Sequence, residues 1–247
     1  MRLTLEDPRF LKESVSIISE LVNEARFRIN KDAVELVAMD PANVAMVIFK
    51  LLSSSFVEYE LSQPVELSIN LDNLKKILRR AGISDTLTLE TDKAKLKVTF
   101  KGRATRMFSL PILELENKEQ KIPDLKFPVS VTLPSAMLEN AISDVDIVGE
   151  SVSFEADPSS FNVSAEGDLS QARIEMKNGI DAKVESLSSA KLKAKYSIEY
   201  LKKIVGGGKL ANEAKISFDT NYPLKLEYKV VDKLLLAFIL APRVEND

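Results

Sequence analysis

Apolar residues recur along this chain in two rhythms. Leu11, Val15, Ile18 and Val22 fall at i, i+4, i+7 and i+11, with Lys12, Ser16 and Ser19 on the other side, so residues 10–22 read as an amphipathic helix. Residues 137–148 are its counterpart later in the chain. A period of two marks Arg26-Phe27-Arg28-Ile29, residues 65–69, Ser151-Val152-Ser153-Phe154 and Phe161-Asn162-Val163-Ser164, which predicts half-buried strands. Second helices are expected over 71–81 and 198–205, each followed by alternating segments at 95–100 and 224–228. The elements imply an α+β fold in which two helices lie on a largely antiparallel sheet, twice over.

The duplication is visible in the letters. Leu-Lys-Lys-Ile occurs at 74–77 and again at 201–204, a shift of 201 − 74 = 127 residues. The same shift lays Phe10-Leu11 on Met137-Leu138, Val34 on Phe161, Ala38 on Ala165 and Leu89 on Ile216. Between the copies, residues 112–127 carry Glu114, Glu116, Lys118, Glu119, Gln120 and Lys121 and then Ile122-Pro123. Charge without periodicity, ending in prolines, reads as an extended linker. The expected organisation is therefore a domain over 1–111, a linker over 112–127 and a second domain over 128–247.

Composition narrows the chemistry. The 247 residues include no cysteine and no histidine, which removes disulfides, Cys/His zinc sites, thiol nucleophiles and Ser-His-Asp triads. Catalysis would have to rest on carboxylates, lysine or tyrosine. The i, i+2 pairs Asp144/Asp146 and Glu114/Glu116 do not share a helix face and read better as solvated surface. Gly206-Gly207-Gly208 follows a helix and no Lys-Ser/Thr pair trails it, so it reads as a helix C-cap and not a P-loop. The first ten residues lack the apolar core of a signal peptide, and the longest apolar stretch, 234–241, falls far short of a membrane span. A soluble, intracellular protein without metal or cofactor is the expectation.

With a net charge of −3 and 29% charged residues, any nucleic-acid contact must come from a local patch. Such a patch stands on the second helix of the first copy. There Lys75, Lys76, Arg79 and Arg80 take one side while Leu71, Leu74, Ile77, Leu78 and Ala81 take the other, and Lys202-Lys203 recur at the same place in the second copy. An ordinary solvated helix face is the competing reading of these cations. Three apolar segments are the other constellation: Met39-Asp40-Pro41 with Val44 and Met46, Ile122-Pro123, and Leu240-Ala241-Pro242-Arg243-Val244. Their methionines, prolines and aliphatic groups suit an adaptable binding surface, although for any one segment alone an ordinary core strand is the better reading.

Leu21-Val22-Asn23-Glu24-Ala25, Ala38-Met39-Asp40-Pro41, residues 71–82 with their Leu-Lys-Lys-Ile-Leu core, Ile122-Pro123 and the terminal Leu-Ala-Pro-Arg-Val-Glu at 240–245 together resemble the archaeal and eukaryotic sliding clamp, the proliferating cell nuclear antigen family. The resemblance covers both copies and the linker. It implies a non-catalytic processivity factor, three subunits joined head to tail into a ring, with sheets outside and helices lining a hole for double-stranded DNA. It assigns DNA contact to Lys12, Lys76, Arg79, Arg80, Lys202 and Lys203. Subunit contact falls to strands at about 103–110 and 169–177, with Arg103, Met107, Leu110, Ile174 and Lys177. A pocket under the linker, built from Met39, Val44, Met46, Ile122, Pro123, Pro223, Ala241, Pro242 and Val244, would take short apolar-anchored peptides, of the PIP-box type, from DNA polymerase, clamp loader, flap endonuclease and ligase. The chain departs from its relatives where Glu139, Asn140, Ser143, Asp144 and Asp146 replace a basic helix face, and where Glu13 and Ser19 replace lysines. A subunit of a three-component ring is the alternative within the class, and a carboxylate-dependent hydrolase the alternative outside it.

Overall fold

A computed structural model describes residues 1–115, 120–187 and 190–243. The element order is the same in the two halves. The first runs β1 (Arg2–Leu5), α1 (Arg9–Ile18), β2 (Glu24–Ile29), β3 (Ala33–Met39), β4 (Ala45–Leu52), β5 (Glu58–Glu60), β6 (Val65–Asn70), α2 (Leu71–Leu78), β7 (Thr86–Asp92), β8 (Lys95–Lys101) and β9 (Thr105–Pro111). The second runs β10 (Val129–Pro134), α3 (Ser135–Asp146), β11 (Ser151–Asp157), β12 (Ser160–Glu166), β13 (Gln171–Lys177), β14 (Lys183–Ser186), β15 (Leu192–Ser197), α4 (Ile198–Ile204), β16 (Glu213–Phe218), β17 (Leu224–Val230) and β18 (Leu234–Leu240). The repeat read from the letters is thus a repeat of structure.

The residues cluster into two compact units. One comprises Met1–Pro41, Val47–Ile122 and Val230–Leu236; the other comprises Ala42–Met46, Pro123–Lys229 and the described residues from Ala237 on. In the first unit an antiparallel sheet runs β5-β1-β7-β8-β9 and a second runs β4-β3-β2-β6; in the second unit the corresponding sheets run β14-β10-β16-β17-β18 and β13-β12-β11-β15. β4 and β18 each contribute residues to both units. Leu52 N donates to Lys233 O at 2.8 Å in the first unit, and Ala241 N to Val44 O at 2.9 Å in the second. β9 and β13 each end a sheet.

The helices are short, and packing holds them. α2 has eight residues, too few to be stable alone in water, and is fixed by Leu71, Leu74 and Leu78, all buried. The Asn70 side chain accepts from Asn73 N at 2.9 Å at its N-terminus, and Asp72 complements the positive end of the helix dipole. α4 buries Ile198, Leu201 and Ile204 in the same way. α1 ends at Ile18, earlier than the apolar period indicates: Leu21 and Val22 are buried, but in the turn that leads into β2. In the second unit Phe154 anchors an aromatic cluster with Phe161 and Tyr196, ring centroids 5.3 and 5.5 Å away, and with Phe218 at 6.3 Å.

The glycine run has a different cause from the expected cap. Gly206, Gly207 and Gly208 lie in a 3-10 turn over Val205–Lys209, and none has the positive φ of a glycine C-cap. Instead, a Cβ on Gly207 would sit 2.2 Å from the ring of Tyr228. Tyr228 is fully buried, its hydroxyl donates to Val205 O at 3.1 Å, and burial pushes its phenol pKa far up. The backbone therefore has to pass over the face of a ring that cannot move. Gly207→Ala should lower the unfolding free energy by about 1–3 kcal/mol, the usual cost of overpacking. Chemical denaturation would read this as a lower midpoint, and an unchanged midpoint would mean that Tyr228 can turn aside.

Candidate functional site: helix faces, open edges and the linker groove

On the helix surfaces the two units share one ion pair and differ in the rest. Lys75 of α2 pairs with Glu20, just past α1, and Lys202 of α4 pairs with Asp146 of α3 at 2.6 Å. These are equivalent pairs, since 202 − 75 = 127 and 146 − 20 = 126. In the first unit Lys76, Arg79 and Arg80 are exposed and Lys12 is half-buried; none has an ion-pair partner among the described residues. In the second unit Lys203 bonds Glu199 at 2.7 Å and lies over the Tyr200 ring.

At the 127-residue shift, Lys12 corresponds to Glu139, Arg79 to Gly206 and Arg80 to Gly207. The geometry brings Lys76, Arg79 and Arg80 together as unpaired charge. Lys202 and Lys203, named with them from sequence, are instead each occupied by a carboxylate. For Lys202 the cause is Asp146, on another helix; for Lys203 it is the i, i+4 placement of Glu199 on its own helix.

Asp85 ties the end of α2 to β9. It is nearly buried, accepts from Gly82 N at 2.6 Å and pairs with Arg106 of β9, whose other arm donates to Arg80 O at 2.8 Å. The basic helix end and the open edge of β9 are thereby held by one cluster, which the sequence reading missed. Asp85 accepting from Gly82 N three residues earlier, across a glycine-containing turn, is the signal that could have pointed to it.

Of the residues named for subunit contact, Met107 is 67% exposed on β9, Ile174 is half-exposed on β13, and Arg103 and Lys177 are exposed at strand ends. Leu110 is a correction: it is buried in its own unit, because alternation along β9 turns it inward. The strands also start later than expected, at Thr105 and Gln171. Other bare apolar residues lie beside these edges. Ile83 is fully exposed between Gly82 and Asp85; Ile147, 84% exposed, precedes the turn Val148-Gly149 that abuts Glu166 and Gly167. Leu169 and Ile180 flank β13 and are also exposed. Their signal in sequence is an isoleucine or leucine off the buried stripe of its own segment.

The linker lies against the first unit. Ile112 N donates to Ala94 O at 2.9 Å, Leu113 N to Ser68 O at 2.8 Å, and Arg26 Nη2 to Leu115 O at 2.6 Å. Met39 and Ile122 meet in a groove of about 490 Å³, with Val37, Ile48, Leu115 and Leu235. In the second unit Val44 accepts from Ala241 N, Pro223 and Pro242 are half-exposed, and Pro123 is exposed. Met46 is a correction: at 4% exposure its side chain is part of the core and offers nothing to a ligand. Val244 lies outside the described residues, as do Glu116, Lys118 and Glu119.

Comparison with known proteins agrees over the whole length. Models for the N-terminal and C-terminal domains of proliferating cell nuclear antigen match residues 1–119 and 121–243. The chain belongs to the proliferating cell nuclear antigen family. A DNA polymerase sliding clamp of Nanoarchaeum equitans is 36% identical over 98% of this chain and 99% of its own length, and one of Pyrococcus furiosus is 32% identical over 99% and 98%. The crystal structure of the proliferating cell nuclear antigen of Thermococcus kodakaraensis superposes with a TM-score of 0.91 at 27% identity, covering 98% of this chain and 99% of that one. The fold is that of the DNA clamps, and the function is that of a DNA polymerase sliding clamp of archaeal type. The family is one of non-catalytic processivity factors, whose partners are DNA and replication proteins. Among the described residues no helix is long and apolar enough to cross a membrane.

Proposed function

We propose that three copies of this chain join head to tail into a ring around duplex DNA, and that the ring works in the cytoplasm as a tether without catalytic activity of its own. The observation that carries the reading is the pair of open edges. β9 and β13 each end a sheet. Laying β9 of one copy along β13 of the next satisfies two rows of backbone groups that would otherwise invite aggregation. Such a contact joins unlike surfaces, which permits a closed ring. The exposed Met107 and Ile83 on one side, and Ile147, Leu169, Ile174 and Ile180 on the other, supply apolar area to bury there. Light scattering should give three times the 27.5 kDa chain mass, and Met107→Asp, which would bury an unpaired charge at the joint, should give monomers. A trimer unaffected by the substitution would remove β9 from the joint, and a lone wild-type monomer would indicate a ring of unlike subunits.

Phosphate contact falls to the first unit, on Lys76, Arg79 and Arg80 with Lys12 beside them, because those helix-face cations have no carboxylate partner among the described residues. Contacts of this kind position a protein on DNA without reading bases. Arg79→Glu with Arg80→Glu should weaken retention on DNA at least tenfold and reduce the salt slope by about 0.9 for each phosphate that is no longer neutralised. Lys202→Glu with Lys203→Glu should change both much less. Equal effects of the two double substitutions would sink the assignment.

The groove holding Met39 and Ile122 is read as the docking site for short peptides of polymerase, clamp loader, flap endonuclease and ligase, an apolar-anchored helix-in-groove contact. Ile122 is 51% exposed at its mouth, and its half-bare side chain supports this reading. Calorimetry with a polymerase C-terminal peptide should show Ile122→Ala losing about 1–3 kcal/mol of binding free energy while the ring mass is unchanged. Equal affinities would place the docking site elsewhere.

A further inference from the structure

In the first unit Asp85 and Arg106 touch both of the segments to which an outside contact is assigned. Asp85 is 6% exposed. It accepts from Gly82 N at 2.6 Å, just past the basic end of α2, and pairs with Arg106 of β9. It is so closely enclosed that a Cβ on Gly102, in the turn between β8 and β9, would overlap its Oδ1. Arg106 lies 5.3 Å from the centroid of the Phe100 ring and sends its other arm to Arg80 O at 2.8 Å. A planar guanidinium can hold two acceptors in fixed directions, which an ammonium group cannot.

Arg79 and Arg80 lie just past the last residue of α2, in a turn where Arg79 N donates to Lys75 O at 3.0 Å and Arg80 N to Ile77 O at 2.9 Å. Carbonyls at such an end have no partner within the helix. Arg106 supplies one for Arg80 O, and brings a positive charge to the negative end of the helix dipole. Arg106 is also the neighbour of the exposed Met107, on a strand that ends its sheet. One side chain thus ties the Arg80 peptide to the open edge. At the shift of 127, Asp85 and Arg106 fall on Asn212 and Lys233, a combination that cannot form an ion pair.

We propose that Asp85 is a positioning residue for both contacts: by fixing Arg106 it sets the direction in which Arg79 and Arg80 meet phosphate and the seating of β9 at the joint between copies. The proposal rests on the phosphate and joint readings given above. The sign of the effect separates positioning from charge. Asp85 is an acid beside a basic patch, so by Coulomb attraction alone its neutralisation would strengthen binding to a polyanion. As the anchor of Arg106 its neutralisation weakens that binding, because a buried ion pair that loses one charge leaves the other to rearrange.

Anisotropy of a labelled DNA duplex, at protein concentrations where light scattering shows the trimer mass, reads the first contact; the concentration at which that mass is lost on dilution reads the second. Asp85→Asn should bind duplex about threefold or more weakly, and should dissociate at a concentration about threefold or more above that of wild type. Arg106→Lys, which keeps the charge and loses the fork, should do the same. The double variant should be no weaker than either single one, because both changes break one link. Ile29→Val, a core change in the same unit, should leave both readings where they are; if it reproduces the losses, the cause is general loosening and the proposal falls. Duplex binding by Asp85→Asn that equals or exceeds wild type also overturns it, as does movement of only one reading, or losses that add in the double variant. Duplex binding indifferent to Arg79→Glu with Arg80→Glu, or a wild-type chain that is monomeric throughout, takes the proposal down together with the phosphate or the joint reading. Sensitivity at Arg79 and Arg80 with none at Asp85 overturns the proposal alone.

Discussion

Among the described residues each unit has two short α-helices, and the burial of their leucines and isoleucines is the constraint from which the other features follow. Leu71, Leu74 and Leu78 in one unit and Ile198, Leu201 and Ile204 in the other are almost wholly removed from water. Each such side chain contributes on the order of 1.5–3 kcal/mol, far more than an eight-residue helix could gain from its own hydrogen bonds. Once that stripe faces inward, the residues between its members have to face outward. Lys76, Arg79 and Arg80 are presented as a patch because the leucines beside them are buried.

The same scaffold appears twice and is finished differently each time. The inter-helix ion pair is kept, as Glu20 with Lys75 and as Asp146 with Lys202. Around it the first unit carries cations that have no ion-pair partner among the described residues, whereas the second carries acids and, at the positions of the two arginines, glycines. One of those glycines, Gly207, is required by the ring of Tyr228. A packing demand in the core and the loss of surface charge thus fall on one residue.

The strand edges impose the corresponding asymmetry. β9 of the first unit and β13 of the second are left at the ends of sheets. An open edge is a hazard for a free monomer and a resource for an assembly. The apolar residues around these two edges fit the second role. Asp85 and Arg106 lock the β9 edge to the end of α2, so the strand proposed for the joint and the helix proposed for DNA are positioned by one buried carboxylate.

The sequence by itself determined the periods of the helices and strands, the duplication at 127 residues, the chemistries ruled out by the absence of histidine and cysteine, and the basic face of α2. These are properties of neighbours along the chain or of identity at a fixed offset, and such signals survive without coordinates. The tertiary structure decided which cations remain unpaired, because Lys202 meets Asp146 from 56 residues away. It also decided that Met46 and Leu110 are core, which a segment rich in apolar residues does not reveal until its partner surface is known. The glycine run was legible as a break after a helix, but its reason was not: the constraint comes from a tyrosine on β17, and only folding brings that ring against the backbone.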